Sequence, residues 1–354
     1  MEAFEPSAYQ PVVHVGRGRV VESLHSGAAV VVDASGNVKA WMGDPDVVTY
    51  SRSSAKPFQA VQLIESGGKE FFGLSLEEIA ITCASHSGTD RHAAVLRGYQ
   101  EKIGISEEDL LCGSHPPLDR VTAERLTREE ISPTPIRHNC SGKHTGMMAL
   151  AKLKGFPISD YINIDHPVQQ LILTAFAEIC GCPRDQIRIG IDGCSVPVYA
   201  TPMRYFARAY ARLVDPDGFT PERAEALRII GSAMTTHPFL VAGPERFDTA
   251  LMEAAGDRLV CKGGAEGFQG VGIKPDALYA GSPALGIAVK IADGDTGHRA
   301  TAAVVVELLR QIGVLTDLEA LKIFPEEKRK IRNSRGLTVG ELIPVFKLQG
   351  SVRE

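Results

Sequence analysis

Tyr50-Ser51-Arg52-Ser53-Ser54-Ala55-Lys56-Pro57-Phe58-Gln59 is the stretch around which the chain is organised. Within it, Ser53-x-x-Lys56 sets a serine and a lysine three residues apart, the pairing that acyl-transfer enzymes use to make a nucleophile without histidine. A serine hydroxyl is a poor nucleophile at neutral pH and needs a base within hydrogen-bond reach. Lysine serves only if burial or a neighbouring cation lowers its pKa from roughly 10.4. On a helical turn the two side chains share a face and can meet. Alone the tetrapeptide is common on solvated surfaces, and a serine at a helix start is ordinarily a cap. Pro57 disfavours helical geometry at Lys56 and removes one amide donor. A tighter turn is therefore expected to join Ser53 and Lys56, with regular helix beginning near Pro57. Phe58, Val61 and Ile64 continue it at helical spacing, and Gly67-Gly68 stops it.

Around that turn the composition is that of an ordinary enzyme. The 354 residues are 44% hydrophobic and 23% charged with 35 glycines, enough to bury a sizeable core. A net charge of −5 with no basic run argues against nucleic acid as a partner. The start, Met1-Glu2-Ala3-Phe4-Glu5-Pro6, is no secretory signal, and no apolar run approaches the roughly 20 residues of a membrane span. The seven cysteines are an odd number scattered along the chain, which reads as reduced cytoplasmic thiols and not a disulfide framework.

Residues 11–42 read as strands and hairpins: Val12–Val15, Val20–Ser23, Ala28–Val32, a turn at Ala34–Asn37, and Val38–Trp41. Ser75-Leu76-Glu77-Glu78 is a capping box opening a short helix to Ala84. Further helices are expected over Thr89–Ile103, Val121–Glu130, Gly142–Leu153, Pro167–Gly181, Pro202–Leu213, Pro221–His237, Phe247–Ala255 and His298–Ile312. Strands are expected at Ile187–Ile191, Arg258–Cys261 and Leu285–Ile291. With no repeat and no obvious linker, the plain reading is one integrated α/β domain over 1–354 with a helical portion.

Three more stretches carry chemistry-bearing side chains. Ala84-Ser85-His86-Ser87-Gly88 lies between two helices, where its hydroxyls either reach a cleft or cap the Thr89 helix. Cys261-Lys262-Gly263-Gly264-Ala265-Glu266-Gly267 sets a lysine at a strand end before two glycines, which lets a substrate approach the backbone or simply makes a surface turn. Arg137–Gly146, with Cys140 and His144, and Asp192-Gly193-Cys194 offer two thiolates and a histidine. That set suits zinc, or the cysteines are small buried residues. Ser53-x-x-Lys56, Ser85-His86-Ser87 and Lys262-Gly263-Gly264 follow the order of the three motifs of serine β-lactamases and penicillin-binding proteins, the second and third in degenerate form.

Taken with Glu22–Gly27, Ser51–Gln59, Asn139–His144 and Lys262–Gly267, these motifs resemble the asparaginase II family, the rhizobial-type or class 3 L-asparaginases, over residues 11–345. The resemblance implies an α/β fold with a mixed sheet flanked by helices, similar to serine β-lactamases and penicillin-binding proteins, assembled as a homodimer. It implies hydrolysis of L-asparagine to L-aspartate and ammonia, with Ser53–Lys56 and Ser85–Lys262 as two serine–lysine pairs. Arg52, Asp192 and His144 would lie beside the substrate. One zinc ion would be held by Cys140, Lys143 and Cys194, with no organic cofactor. Two readings stand beside this one: a serine–lysine amidase for another amide, such as glutamine, and an inactive zinc-stabilised binding protein.

Overall fold

The computed structural model describes residues 5–353. The chain forms two compact units from interleaved stretches. The first takes the chain up to Ser54, Thr201–Asp215 and the chain from Ala254 onward; the second takes Ala55–Ala200 and Pro216–Glu253. In chain order the strands are β1 (Gln10–Arg17), β2 (Val20–Asp33), β3 (Val38–Met42), β4 (Val48–Tyr50), β5 (Arg188–Ile191), β6 (Pro197–Pro202), β7 (Leu259–Gly264), β8 (Phe268–Ile273), β9 (Leu285–Ile291), β10 (Lys330–Arg332), β11 (Thr338–Pro344) and β12 (Gln349–Gly350).

In the first unit one sheet runs β10-β11-β1-β2-β9-β8-β7, with β3 on β2 and β12 on β3. The fold class is the α/β one expected, a sheet flanked by helices. In place of mixed strand directions every pairing of this sheet is antiparallel. The cause is local: β1–β2 and β7–β8 are tight hairpins, turned by Gly18 at φ +58° and Gly267 at φ +65°.

Ala28–Val32 of β2 are wholly buried, and every residue of β9 is buried, Lys290 the least so. The apolar runs Ala28–Val32 and Leu285–Val289 follow from cover on both faces. The Met203–Val214 helix packs on β2, β8 and β9, and the Thr301–Gln311 helix on β1, β8, β9 and β11. The first of these lies directly on the sheet because glycines face it. A Cβ on Gly286 would sit 1.8 Å from the Ala207 carbonyl oxygen, and one on Gly272 2.6 Å from that of Tyr210.

The second unit is mainly helical, with β5 and β6 paired antiparallel. At its centre the Lys56–Glu65 helix packs on the Ser141–Leu153, Pro167–Cys180 and Pro221–Thr236 helices. It is preceded by a 3-10 turn, Arg52–Ala55, which is the tighter geometry Pro57 calls for. The capping box at Ser75 and Glu78 is present and opens Leu76–Thr82. That helix meets Ser141–Leu153 through glycines: a Cβ on Gly142 would lie 2.0 Å from the Ile81 carbonyl oxygen, and one on Gly146 2.4 Å from Thr82 Cγ2. Among the described residues no helix is long and apolar enough to cross a membrane.

Two glycine substitutions should part company. Gly142→Ala drives a methyl into backbone and is expected to cost roughly 3 kcal/mol or more. Gly98→Ala, on the Asp90–Ile103 helix with nothing within 4 Å of its Cβ, is expected to gain up to about 1 kcal/mol. Urea unfolding midpoints of the two variants check both.

Candidate active site

Lys56 is wholly buried in the second unit. Its amine donates to the carbonyls of Ala84 at 2.5 Å and Asn139 at 3.2 Å, and lies 3.0 Å from Ser85 Oγ. A charged ammonium donates to all three. A neutral amine gives two protons to the carbonyls and accepts the Ser85 hydroxyl proton through its lone pair. That second arrangement is a base poised on an alcohol.

The loop Ser85–Gly88 thus reaches the amine of the serine–lysine turn instead of capping the next helix. Thr89 makes that cap, its side chain accepting from His92 N. Ser87 Oγ donates to the Ala242 carbonyl at 2.8 Å. Between them His86 sets Nε2 2.9 Å from Ser141 Oγ and stacks on His92, which stacks in turn on Phe239. Burial above all holds His86 well below the usual imidazole range and brings His92 to about 4. At neutral pH both rings are uncharged.

A second cluster in this unit gathers at the start of the Ser141–Leu153 helix. Cys140 is its N-cap, and Lys143 and His144 follow within one turn. The Lys143 amine donates to Cys194 Sγ at 3.1 Å and lies 3.7 Å from Asp192 Oδ2. A hydrogen bond with Cys194 is the foremost reason the Cys140 thiol is held well below its ordinary range, and the same bond pushes Cys194 up. Burial works against a charge on Lys143, but Cys194, Cys140 and Asp192 outweigh it and raise the amine. Burial keeps His144 neutral, its Nδ1 2.7 Å from Tyr161 Oη. Its Nε2 is buried without a hydrogen-bond partner among the described residues.

These donors fit zinc. Two sulfurs and an amine are donor types that zinc takes, and each would have to give up its proton to the metal. Among the described residues no three of His, Cys, Asp and Glu make a cage.

Arg52, Ser53 and Lys262 belong to the first unit. Arg52 adopts φ +49°, the left-handed region that a residue with a Cβ rarely enters, and such strain gathers at functional sites. The turn is clamped on both sides: Ser54 Oγ donates to the Lys262 carbonyl at 2.7 Å, and Tyr210 Oη donates to the Ser54 carbonyl at 2.8 Å. A Cβ on Gly264 would lie 2.6 Å from the Ser51 carbonyl oxygen. The glycines after Lys262 therefore admit the protein's own turn. Ser51 and Ser54 are buried, while Arg52 and Ser53 between them keep part of their surface open. Lys262 is buried on β7, its amine donating to the Gly263 carbonyl at 2.7 Å.

Sequence reasoning missed Tyr161, Ser141 and Tyr210, which orient the groups it found. No spacing marks them; they read as ordinary core residues.

A family model described as L-asparaginase II matches residues 13–344. No curated protein matches the chain. Among solved structures the chain is similar to a β-lactamase from Mycobacterium bovis, at 14% identity and a TM-score of 0.44 over 80% of this chain and 94% of that one. It is also similar to a Bacillus glutaminase, at 13% identity and a TM-score of 0.37 over 80% of this chain and 90% of that one.

The neutral imidazoles set an acid limit. Below pH 6.5 the unfolded chain takes up protons on His92 that the folded chain refuses until about pH 4, so stability is lost as pH falls through that window. His92 alone accounts for about 3 kcal/mol of this by pH 4. His92→Phe is expected to flatten the slope, read from urea unfolding at pH 7, 5.5 and 4.5.

Proposed function

Because the chain belongs to the L-asparaginase II family, and so to the amidohydrolases, we propose that it hydrolyses the side-chain amide of L-asparagine through a serine–lysine acyl-enzyme. The observation that supports the reading is the buried Lys56 amine 3.0 Å from the Ser85 hydroxyl, which provides the base and the second hydroxyl of the relay; Ser53 as nucleophile rests on its place in the Ser53-x-x-Lys56 motif. Lys56 in its neutral form takes the proton of Ser53, three residues before it in the chain. The Ser53 oxygen attacks the amide carbon, and backbone N–H groups around Ser53 stabilise the oxyanion, a contribution of roughly 3–4 kcal/mol per donor in comparable sites. Ser85, hydrogen-bonded to the same amine, carries the proton onward to the leaving nitrogen, with Lys262 as a second amine for the relay. Ammonia departs, and water, deprotonated along the same route, releases L-aspartate.

Arg52 supplies the cation for the substrate's α-carboxylate, with Asp192 and His144 alongside. One zinc ion would be held by Cys140, Lys143 and Cys194, and when bound would supply a Lewis-acidic charge. The homodimer implied by the family resemblance and the cytoplasmic setting read from the scattered cysteines belong to the same proposal.

Ammonia release is expected from L-asparagine and, more slowly, from L-glutamine, since one methylene changes selectivity by only about 1–3 kcal/mol. Replacing the base, Lys56→Met, is expected to lower kcat by about a thousandfold. Mass spectrometry of enzyme trapped with a slow substrate should place the adduct on Ser53. An adduct on Ser85 would exchange the roles of the two hydroxyls, and none on either would remove the acyl-enzyme. Chelation is expected to raise KM for asparagine more than it lowers kcat; lost turnover at unchanged KM would count against a binding role for the metal.

A further inference from the structure

The β7–β8 turn is held more firmly than a hairpin loop requires. Glu266 sits at φ +59°, in the left-handed region and without a glycine's freedom. Lys290, near the end of β9 and only 9% exposed, donates its amine to the Glu266 carbonyl and, at 2.7 Å, to that of Ile291. Gly294 leaves room for the Glu266 carboxylate: a Cβ there would lie 2.5 Å from Oε2. A strained backbone and a buried amine bonded to it together fix a residue whose side chain faces solvent.

The carboxylate so placed makes no hydrogen bond or ion pair among the described residues. Around the Lys290 amine it is accompanied by the Asp293 carboxylate and by Arg52. Glu266 and Arg52 both act on the Lys290 amine electrostatically, and Arg52 Cβ is 3.4 Å from where a Cβ on Gly264 of the same hairpin would sit. The first unit therefore carries a guanidinium and an uncommitted carboxylate on two turns near the same buried amine. The other acidic residue considered for the site, Asp192, already accepts from Gly193 N at 2.9 Å and lies 3.7 Å from the Lys143 amine.

An amino-acid amide is a zwitterion, and a site selective for it needs one group of each sign at a fixed separation. We infer that Glu266 is a specificity residue whose carboxylate receives the α-ammonium of the substrate while Arg52 takes the α-carboxylate. The inference rests on the proposed amidohydrolase reading. Lys290 is a positioning residue in this scheme, holding the turn by its backbone and leaving the carboxylate free for the ligand.

The test compares L-asparagine with succinamate, the same molecule without its α-amino group, by ammonia release from the full chain. The wild type should prefer asparagine. Glu266→Gln, equal in size but uncharged, should lose roughly 10–100-fold in kcat/KM on asparagine, mainly through KM, and change little on succinamate. Glu266→Asp, which keeps the charge, should recover part of the preference. A parallel fall on both substrates, or no change on asparagine, overturns the inference and leaves the amidohydrolase reading standing. No ammonia from either substrate with the wild type overturns both.

Discussion

A lysine amine with no access to water must be given acceptors by the protein, and Lys56 is the constraint on which its unit depends. Burying an unpaired ammonium costs far more than a domain's whole stability margin. The Ala84 and Asn139 carbonyls that meet the amine come from the ends of two different segments, the one after the Leu76–Thr82 helix and the one before Ser141–Leu153. The close approach of those two helices, made possible by Gly142 and Gly146, is thus a condition for seating the amine. Packing and chemistry are the same requirement here. The carbonyls that satisfy the lysine also leave it able to bind the Ser85 proton.

Much of this was legible in residue types. The Ser53-x-x-Lys56 stretch announced its turn because Pro57 forbids a simple helix, and the 3-10 segment Arg52–Ala55 followed. Capping boxes, glycine stops and the apolar runs of β2 and β9 placed most elements, since each rests on short-range physics. Long-range pairing was less visible. Val20–Ser23 and Ala28–Val32 read as two strands but form one of 14 residues, because β1 pairs across the polar interval, with His25 opposite Val13 and Leu24 opposite His14. The strand β8 was missed because Gly270 and Gly272 are poor strand formers; their purpose, admitting Tyr210 of the helix above, lies in tertiary packing.

At the site, sequence supplied the members and structure supplied the partners. Nothing in the spacing gives Lys56 an observed bond to Ser85, yet that contact is present at 3.0 Å. Nor does spacing show that Lys143 donates to Cys194, a contact between segments more than fifty residues apart. Arg52 carries no signal for a left-handed backbone, because arginine has no such preference. Its conformation is imposed by the clamp on Ser54 from Lys262 and Tyr210.

The pairing of β2 with β9 has a consequence for how this polypeptide is made. Gly27–Asp33 finds its partner in Leu285–Ile291, more than 250 residues downstream. On the ribosome, the first hairpin emerges long before that partner exists and shows the naked flank of an apolar strand throughout most of translation. Such a chain cannot complete its β layer as it emerges; closure must wait for the last fifth of the polypeptide. Nascent molecules of this protein are therefore natural clients for holdase chaperones, and rapid overproduction should favour inclusion bodies over slow synthesis in the cold.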